Sequence, residues 1–249
     1  ITIQRLETSD ATRLSETFTL VESFLRIEQC LYTHSKTCLA KGWSLGAEHG
    51  DCAVPPPTQV QISSLVPYWM GNATKCETVA CDVTVTPQTT TFIVAPNASG
   101  KSTFLRSLAA AVILDKSGLC VPYANPGSAR LGQVWDLVLL RMPASDDPVS
   151  GLSAFAFEAR DLADILTRAT SRSLVLLDEI SRGTSVRDAI AINIELVREL
   201  RKSTLYFSTH LHELLEEERV ENIGMMSFGD DHALLPGALR PSLPLRVCE

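Results

Sequence analysis

Two stretches of this sequence hold side chains that could do chemistry together. The first is Ala95-Pro96-Asn97-Ala98-Ser99-Gly100-Lys101-Ser102-Thr103, a run of small residues leading to an ammonium and hydroxyls. The second is Asp178-Glu179, adjacent carboxylates at the end of an apolar run. A cation, a hydroxyl and paired acids suit a magnesium-bound polyphosphate. Backbone N–H groups of a tight loop and of the helix after it make a fixed positive field for such a ligand. Lys101 would lie along the β- and γ-phosphates, and the Ser102 hydroxyl would bind Mg²⁺. Asp178 would hold the metal shell, and Glu179 is placed to polarise the water that attacks the γ-phosphate.

Such groups need elements to aim them. Phe92, Ile93 and Val94 read as a short buried strand, and Leu105, Leu108, Ala109 and Val112 form one face of a helix. Strand, glycine-containing loop, Lys-Ser and helix is the layout of a phosphate-binding loop. The first glycine of the usual G-x-x-x-x-G-K-[ST] pattern is Ala95 here. Pro96 pushes Ala95 toward extended angles that alanine tolerates; a positive φ there would instead cost about 1–3 kcal/mol. Leu174 to Leu177 predict a buried parallel strand that delivers Asp178 and Glu179 to the mouth of an open sheet. The plainer alternatives are a chance Gly-Lys-Ser at a helix start and two acids that merely cap the next helix. A further strand, 204–210, is expected beside the Asp178 strand, with His210 at its tip within reach of the γ-phosphate. The edges bearing Lys101 and the acids are expected to be neighbours.

The remaining chain predicts an α/β fold, a mixed sheet with flanking helices. Residues 9–39 read as a helix with two apolar stripes, one through Leu14, Phe18, Val21 and Leu25 and the other through Leu20, Phe24, Ile27 and Leu31. Two stripes imply packing on both sides, or one arm of a larger helical structure. Gly42, Gly46, Gly50 and Pro55-Pro56-Pro57 mark a linker, so residues 1–50 are assigned to a helical segment and 51–249 to a second domain. Residues 60–66 and 79–85 alternate as strands of an antiparallel subsheet. Helices are expected over 157–169, with Leu162, Ile165 and Leu166 inward, and over 186–200, with Ala189, Ile190, Asn193, Leu196 and Val197 inward.

With 45% hydrophobic and 20% charged residues, the 249-residue chain is of ordinary globular composition. It lacks the apolar run a membrane span needs. A net charge of −7 argues against this segment being a main DNA-gripping surface. The seven cysteines show no zinc spacing and read as thiols of a reducing compartment. The chain starts at Ile1, which suggests a piece of a longer product.

In order, A-P-N-A-S-G-K-S-T, S-D-D-P-V-S-G-L-S-A-F-A-F-E, S-L-V-L-L-D-E-I-S-R-G-T-S and S-T-H-L-H-E-L resemble the ATPase domain of MutS proteins, the mismatch-repair branch of the ABC ATPases. The likeness runs from about Leu65 to Leu214. The wording Val66-Pro67-Tyr68-Trp69-Met70 and Ser208-Thr209-His210-Leu211-His212 looks most like plant organellar MutS homologues. The resemblance implies a P-loop NTPase of the ABC-ATPase type, preceded by a remnant of a helical lever. It implies ATP and Mg²⁺ as ligands and an intracellular location, in the nucleus or an organelle if eukaryotic. Residues 95–103 match the phosphate loop, Asp178 and Glu179 the metal-binding and water-activating acids, and His210 a switch histidine. Ser153 matches the signature serine that reaches the nucleotide of a partner subunit. A homo- or heterodimer with a second MutS-type ATPase is implied, as is mismatched double-stranded DNA held by domains outside this chain. Ala95, Ala98, Ser99, Ser181 and Ala189 depart from the family's usual residues, and none of these changes removes a charged group. The alternatives are a module that binds nucleotide but hydrolyses it weakly, and an ABC-type ATPase with a non-repair role.

Overall fold

Two units divide the chain, residues 1–44 and 45–249. The structure, a computed structural model, describes residues 8–46, 58–69, 80–96, 99–124, 131–143, 154–181, 184–209, 223–228 and 234–236.

The first unit is carried by α1 (Thr8–Lys41), 34 residues without a glycine or proline. It ends where Gly42 takes φ 66° and Trp43 N–H donates to the Cys38 carbonyl at 2.9 Å. That left-handed residue with a back-bonded N–H is a Schellman cap, which favours glycine. Phe18, Leu20, Val21, Phe24, Leu25, Ile27 and Leu31 are all exposed on α1. Packing on both sides, one of the two expectations for this helix, is therefore not what the structure has.

β1 (Ser44–Leu45) falls at the boundary between the units, and the second unit continues with β2 (Val60–Leu65) and β3 (Cys81–Val85). The latter two pair antiparallel with a register shift between Ile62 and Leu65, as the alternating pattern predicts. Then come β4 (Thr90–Val94), α2 (Lys101–Lys116), β5 (Cys120–Val121), the single turn α3 (Leu131–Val134) and β6 (Leu137–Arg141). The chain continues through α4 (Ala154–Arg168), β7 (Ser173–Asp178), α5 (Val186–Leu200), β8 (Thr204–Thr209), β9 (Ile223–Phe228) and β10 (Leu234–Pro236). A six-stranded sheet runs β10-β9-β4-β8-β7-β6. All its pairings are parallel except that of β10 with β9.

Every residue of β4, β7 and β8 is buried, as strands covered on both faces require. Alternation sorts their side chains between two cores. Leu174, Leu176, Ile93 and Tyr206 pack with Leu105, Leu108 and Val112 of α2. Val175, Leu177, Phe92 and Phe207 pack with Leu162 and Ile165 of α4 and Leu196 and Val197 of α5. Leu166, expected inward, is 40% exposed, because it stands about 100° round the helix from the buried Ile165, at the rim of the apolar stripe. Ser185 caps α5, its hydroxyl accepting from Asp188 N–H at 3.2 Å. Among the described residues no disulfide joins Cys30, Cys38, Cys81 or Cys120. Among the described residues no helix is long and apolar enough to cross a membrane.

Candidate active site

The parallel register brings three strand ends to one level. Ile93 of β4 lies opposite Ser208 of β8, and Ser208 lies opposite Asp178 of β7. The expectation that the strands leading to Lys101 and to the acids are neighbours is thus corrected, because β8 stands between them. Two strand spacings are about 10 Å, so loop and side chains must bridge that gap. A small residue at the tip of β8 lets them do so.

On the β4 side the chain turns through Ala95 and Pro96 into α2. Among the described non-glycine residues, positive φ falls on Ser64, Gln88, Glu179 and Ser181. Ala95 is not one of them, so its Cβ is tolerated. The left-handed position is taken by Gly100, at φ 108° and ψ 1°, just before α2 starts. Lys101 is 4% exposed. Its ammonium folds back over the loop, donating to the Ala95 carbonyl at 2.7 Å and to the Pro96 carbonyl at 2.8 Å. It also lies 3.2 Å from Glu179 Oε1. Asn97 and Ala98 lie outside the described residues.

Ser102 Oγ donates to Asp178 Oδ2 at 2.5 Å. The other oxygen of that buried carboxylate accepts from the Ser208 hydroxyl. Glu179 follows at φ 45°, 6% exposed, with its N–H donating to the Ser208 carbonyl at 3.0 Å. Ser181 then takes φ 68°. Its N–H donates to Glu158 Oε1 on α4 at 2.6 Å, and its hydroxyl to Asn193 Oδ1 on α5 at 3.3 Å. Tyr206, in the same strand as Ser208, carries no charge into this region. Burial pushes its phenol well above the ordinary range, with a hydrogen bond to Thr91 working the other way.

Lys101, Ser102, Asp178 and Glu179 are therefore brought together, whereas Ser153 and His210 lie outside the described residues, as do Asn97 and Ala98. Ser208 and Glu158 were missed by sequence reasoning, and Asn193, expected on the inward face of α5 and buried there, was not assigned to the site. Ser208 had a signal, the polar tip Ser208-Thr209 on an otherwise apolar strand. Glu158 and Asp161, three apart on α4, read as an ordinary solvated helix face.

These groups fit a magnesium-nucleotide. A hydroxyl and a carboxylate in direct contact are hard oxygen donors of the kind Mg²⁺ takes. A 16-residue helix starting at a buried lysine, with no side-chain cap on its first N–H groups, suits phosphate oxygens.

The profile of MutS domain V matches residues 91–233, more than half of the chain. A DNA mismatch repair protein MutS of Caldanaerobacter subterraneus is 37% identical over 183 residues, which is 68% of this chain and 21% of that protein. The DNA mismatch repair protein MSH1, mitochondrial, of Arabidopsis thaliana is 34% identical over 196 residues, 76% of this chain and 17% of its own. A MutS of Carboxydothermus hydrogenoformans is 46% identical over 125 residues, 49% of this chain and 14% of its own. Bacterial and plant relatives match alike, so no organellar branch stands out. The chain spans about a fifth or less of the length of these relatives. It belongs to the MutS family, and the part of that family it carries is domain V.

Proposed function

We propose that this chain binds ATP with Mg²⁺ and hydrolyses it, as the P-loop, ABC-type ATPase module of a DNA mismatch repair protein. One observation carries the reading. An ammonium, a hydroxyl and two carboxylates from separate parts of the sequence meet at the strand ends, with Ser102 2.5 Å from Asp178 and Lys101 3.2 Å from Glu179. Residues 95–103 would wrap the phosphates, with the Lys101 ammonium toward the β- and γ-oxygens. Ser102 and Asp178 would hold Mg²⁺, which when bound supplies charge neutralisation for the triphosphate. Glu179 would accept the proton of the attacking water. Ser208 keeps Asp178 oriented by its hydrogen bond.

The resemblance extends this to residues outside the described set. His210 would sense the γ-phosphate. Ser153 would complete the site of a second MutS-type subunit, in a homo- or heterodimer. Mismatched DNA would be held by domains beyond this chain, and ATP capture would change how they hold it. Its place would be inside the cell, in the nucleus or an organelle if eukaryotic, as the resemblance implies.

A second reading, nucleotide binding with little turnover, is favoured by the ion pair itself, since it engages Glu179 with Lys101. Calorimetry with ATP and Mg²⁺ tests the first reading. Lys101→Ala should weaken binding at least about 30-fold, the effect of truncating a buried charged contact. Unchanged affinity would reject the phosphate-loop assignment. Turnover of the unaltered chain decides between the readings.

A further inference from the structure

Glu179 sits in a turn that its own residue types do not favour. Glu179 and Ser181 both have positive φ, 45° and 68°, in a region where an L side chain crowds its own backbone. Such conformations persist when surrounding contacts over-determine them. Three contacts do so here. Glu179 N–H is tied to the Ser208 carbonyl at 3.0 Å. Ile180, 5% exposed, is packed in the same core as Leu162 and Ile165 of α4. The shortest is from Ser181 N–H to Glu158 Oε1, 2.6 Å, a charge-assisted hydrogen bond of the stronger class.

Glu158 is itself held. One turn further along the same face of α4, Asp161 Oδ2 lies 3.0 Å from Arg141 Nε, at the end of β6. The Arg141 side chain is 7% exposed. α4 is thus fastened at one point to the sheet edge and at another to the turn that carries Glu179. A displacement of α4 acts on the Ser181 backbone two residues from that carboxylate.

We infer that Glu158 is a positioning residue for ATP hydrolysis: its carboxylate holds the Ser181 N–H, fixes the Glu179–Ser181 turn, and so sets where the Glu179 carboxylate stands. The inference rests on the reading of Glu179 as the water-activating group. Glu158 touches no reacting atom. The bond it makes needs an acceptor oxygen at Oε1, which glutamine also offers and alanine does not.

The test compares Glu158→Ala, Glu158→Gln and Glu179→Gln in the full chain. It measures ATP turnover at saturation, affinity for a non-hydrolysable ATP analogue, and hydrogen exchange of the Ser181 amide. Glu158→Ala should lower kcat about 10–100-fold, the usual cost of losing an orienting partner. Analogue affinity should stay within about 2-fold, and the Ser181 amide should exchange faster. Glu158→Gln should restore both turnover and amide protection, a rescue that a general loss of stability would not produce. The inference is overturned if Glu158→Ala leaves kcat unchanged while Glu179→Gln abolishes it, or if alanine and glutamine lower kcat equally. If Glu179→Gln also leaves turnover unchanged, or the unaltered chain does not turn over ATP, the hydrolysis reading falls and the positioning role falls with it.

Discussion

The two strand-to-helix turns at this site solve the same steric problem in opposite ways. After β4, the left-handed position is given to glycine, Gly100 at φ 108°, and the turn follows from local residue chemistry. After β7, left-handed angles fall on Glu179 and Ser181, and the turn is held by Ser208, Glu158 and Asn193 from three other elements. In the first turn Gly100 supplies that conformation by its own residue type, one position before the lysine and serine that would grip phosphate. The second stores strain that the fold must oppose, and it carries the carboxylate that would act on water. A binding surface can be built locally, whereas the position of a reacting group is set by the packing around it.

The sharpest way to break the comparison is to alter one end of the buried ion pair that joins the turns. Lys101→Ala leaves the Glu179 carboxylate without its cation at 4–5% side-chain exposure. Breaking such a pair costs about 3–5 kcal/mol, which urea denaturation would read directly. Glu179→Gln in the Lys101→Ala background removes the charge left behind and should recover part of that loss. If the double variant is no more stable than Lys101→Ala, the pair is not what joins the turns. Glu179→Gln alone should separate the roles. ATP binding is retained, because the β4 turn is intact, and turnover falls at least about 100-fold, in the range lost with a general base. A variant that binds poorly but turns over normally would assign the roles the other way round.

The same contrast explains what could be read from the sequence. The Gly100-Lys101-Ser102 run and the apolar strand before Asp178 are local signals, and both lead to the elements expected of them. The inward face of α5 was legible for the same reason, through Ala189, Asn193, Leu196 and Val197 at helical spacing. The insertion of β8 between β4 and β7 was not, since strand order is decided by packing of distant segments. Nor was the Glu158–Ser181 bond, which joins residues 23 apart that carry no shared pattern. Exposure of the α1 stripes likewise escaped a periodicity argument. Periodicity reports which faces are apolar and says nothing of what covers them.

Gly100→Ala should be the next largest effect. At φ 108° a Cβ strains the backbone whatever space surrounds it, at about 1–3 kcal/mol. The thermal midpoint should fall by about 2–4 °C for each kcal/mol in a chain of this size. ATP affinity should fall with it, because α2 begins at the next residue. An alanine variant as stable as the parent would show that the β4 turn is held by its surroundings after all, and the contrast with the β7 turn would vanish.

Ser181 offers the finest test. Glycine there relieves left-handed strain of about 1–2 kcal/mol. It also loosens the unfolded chain, at about 0.4–1 kcal/mol. The hydroxyl that reaches Asn193 at 3.3 Å is lost as well, at about 0.5–1.5 kcal/mol for a hydrogen bond of ordinary strength. These contributions nearly cancel, so Ser181→Gly should leave stability within about 1 kcal/mol of the parent. Ser181→Ala keeps the strain and loses the hydroxyl, so it should be less stable than Ser181→Gly by about 1 kcal/mol. Matched denaturation curves of the two variants resolve that difference. Alanine more stable than glycine by about 0.4–1 kcal/mol, the unfolded-chain contribution alone, would mean that Ser181 pays no left-handed penalty, and the β7 turn would then need no outside contacts to hold it.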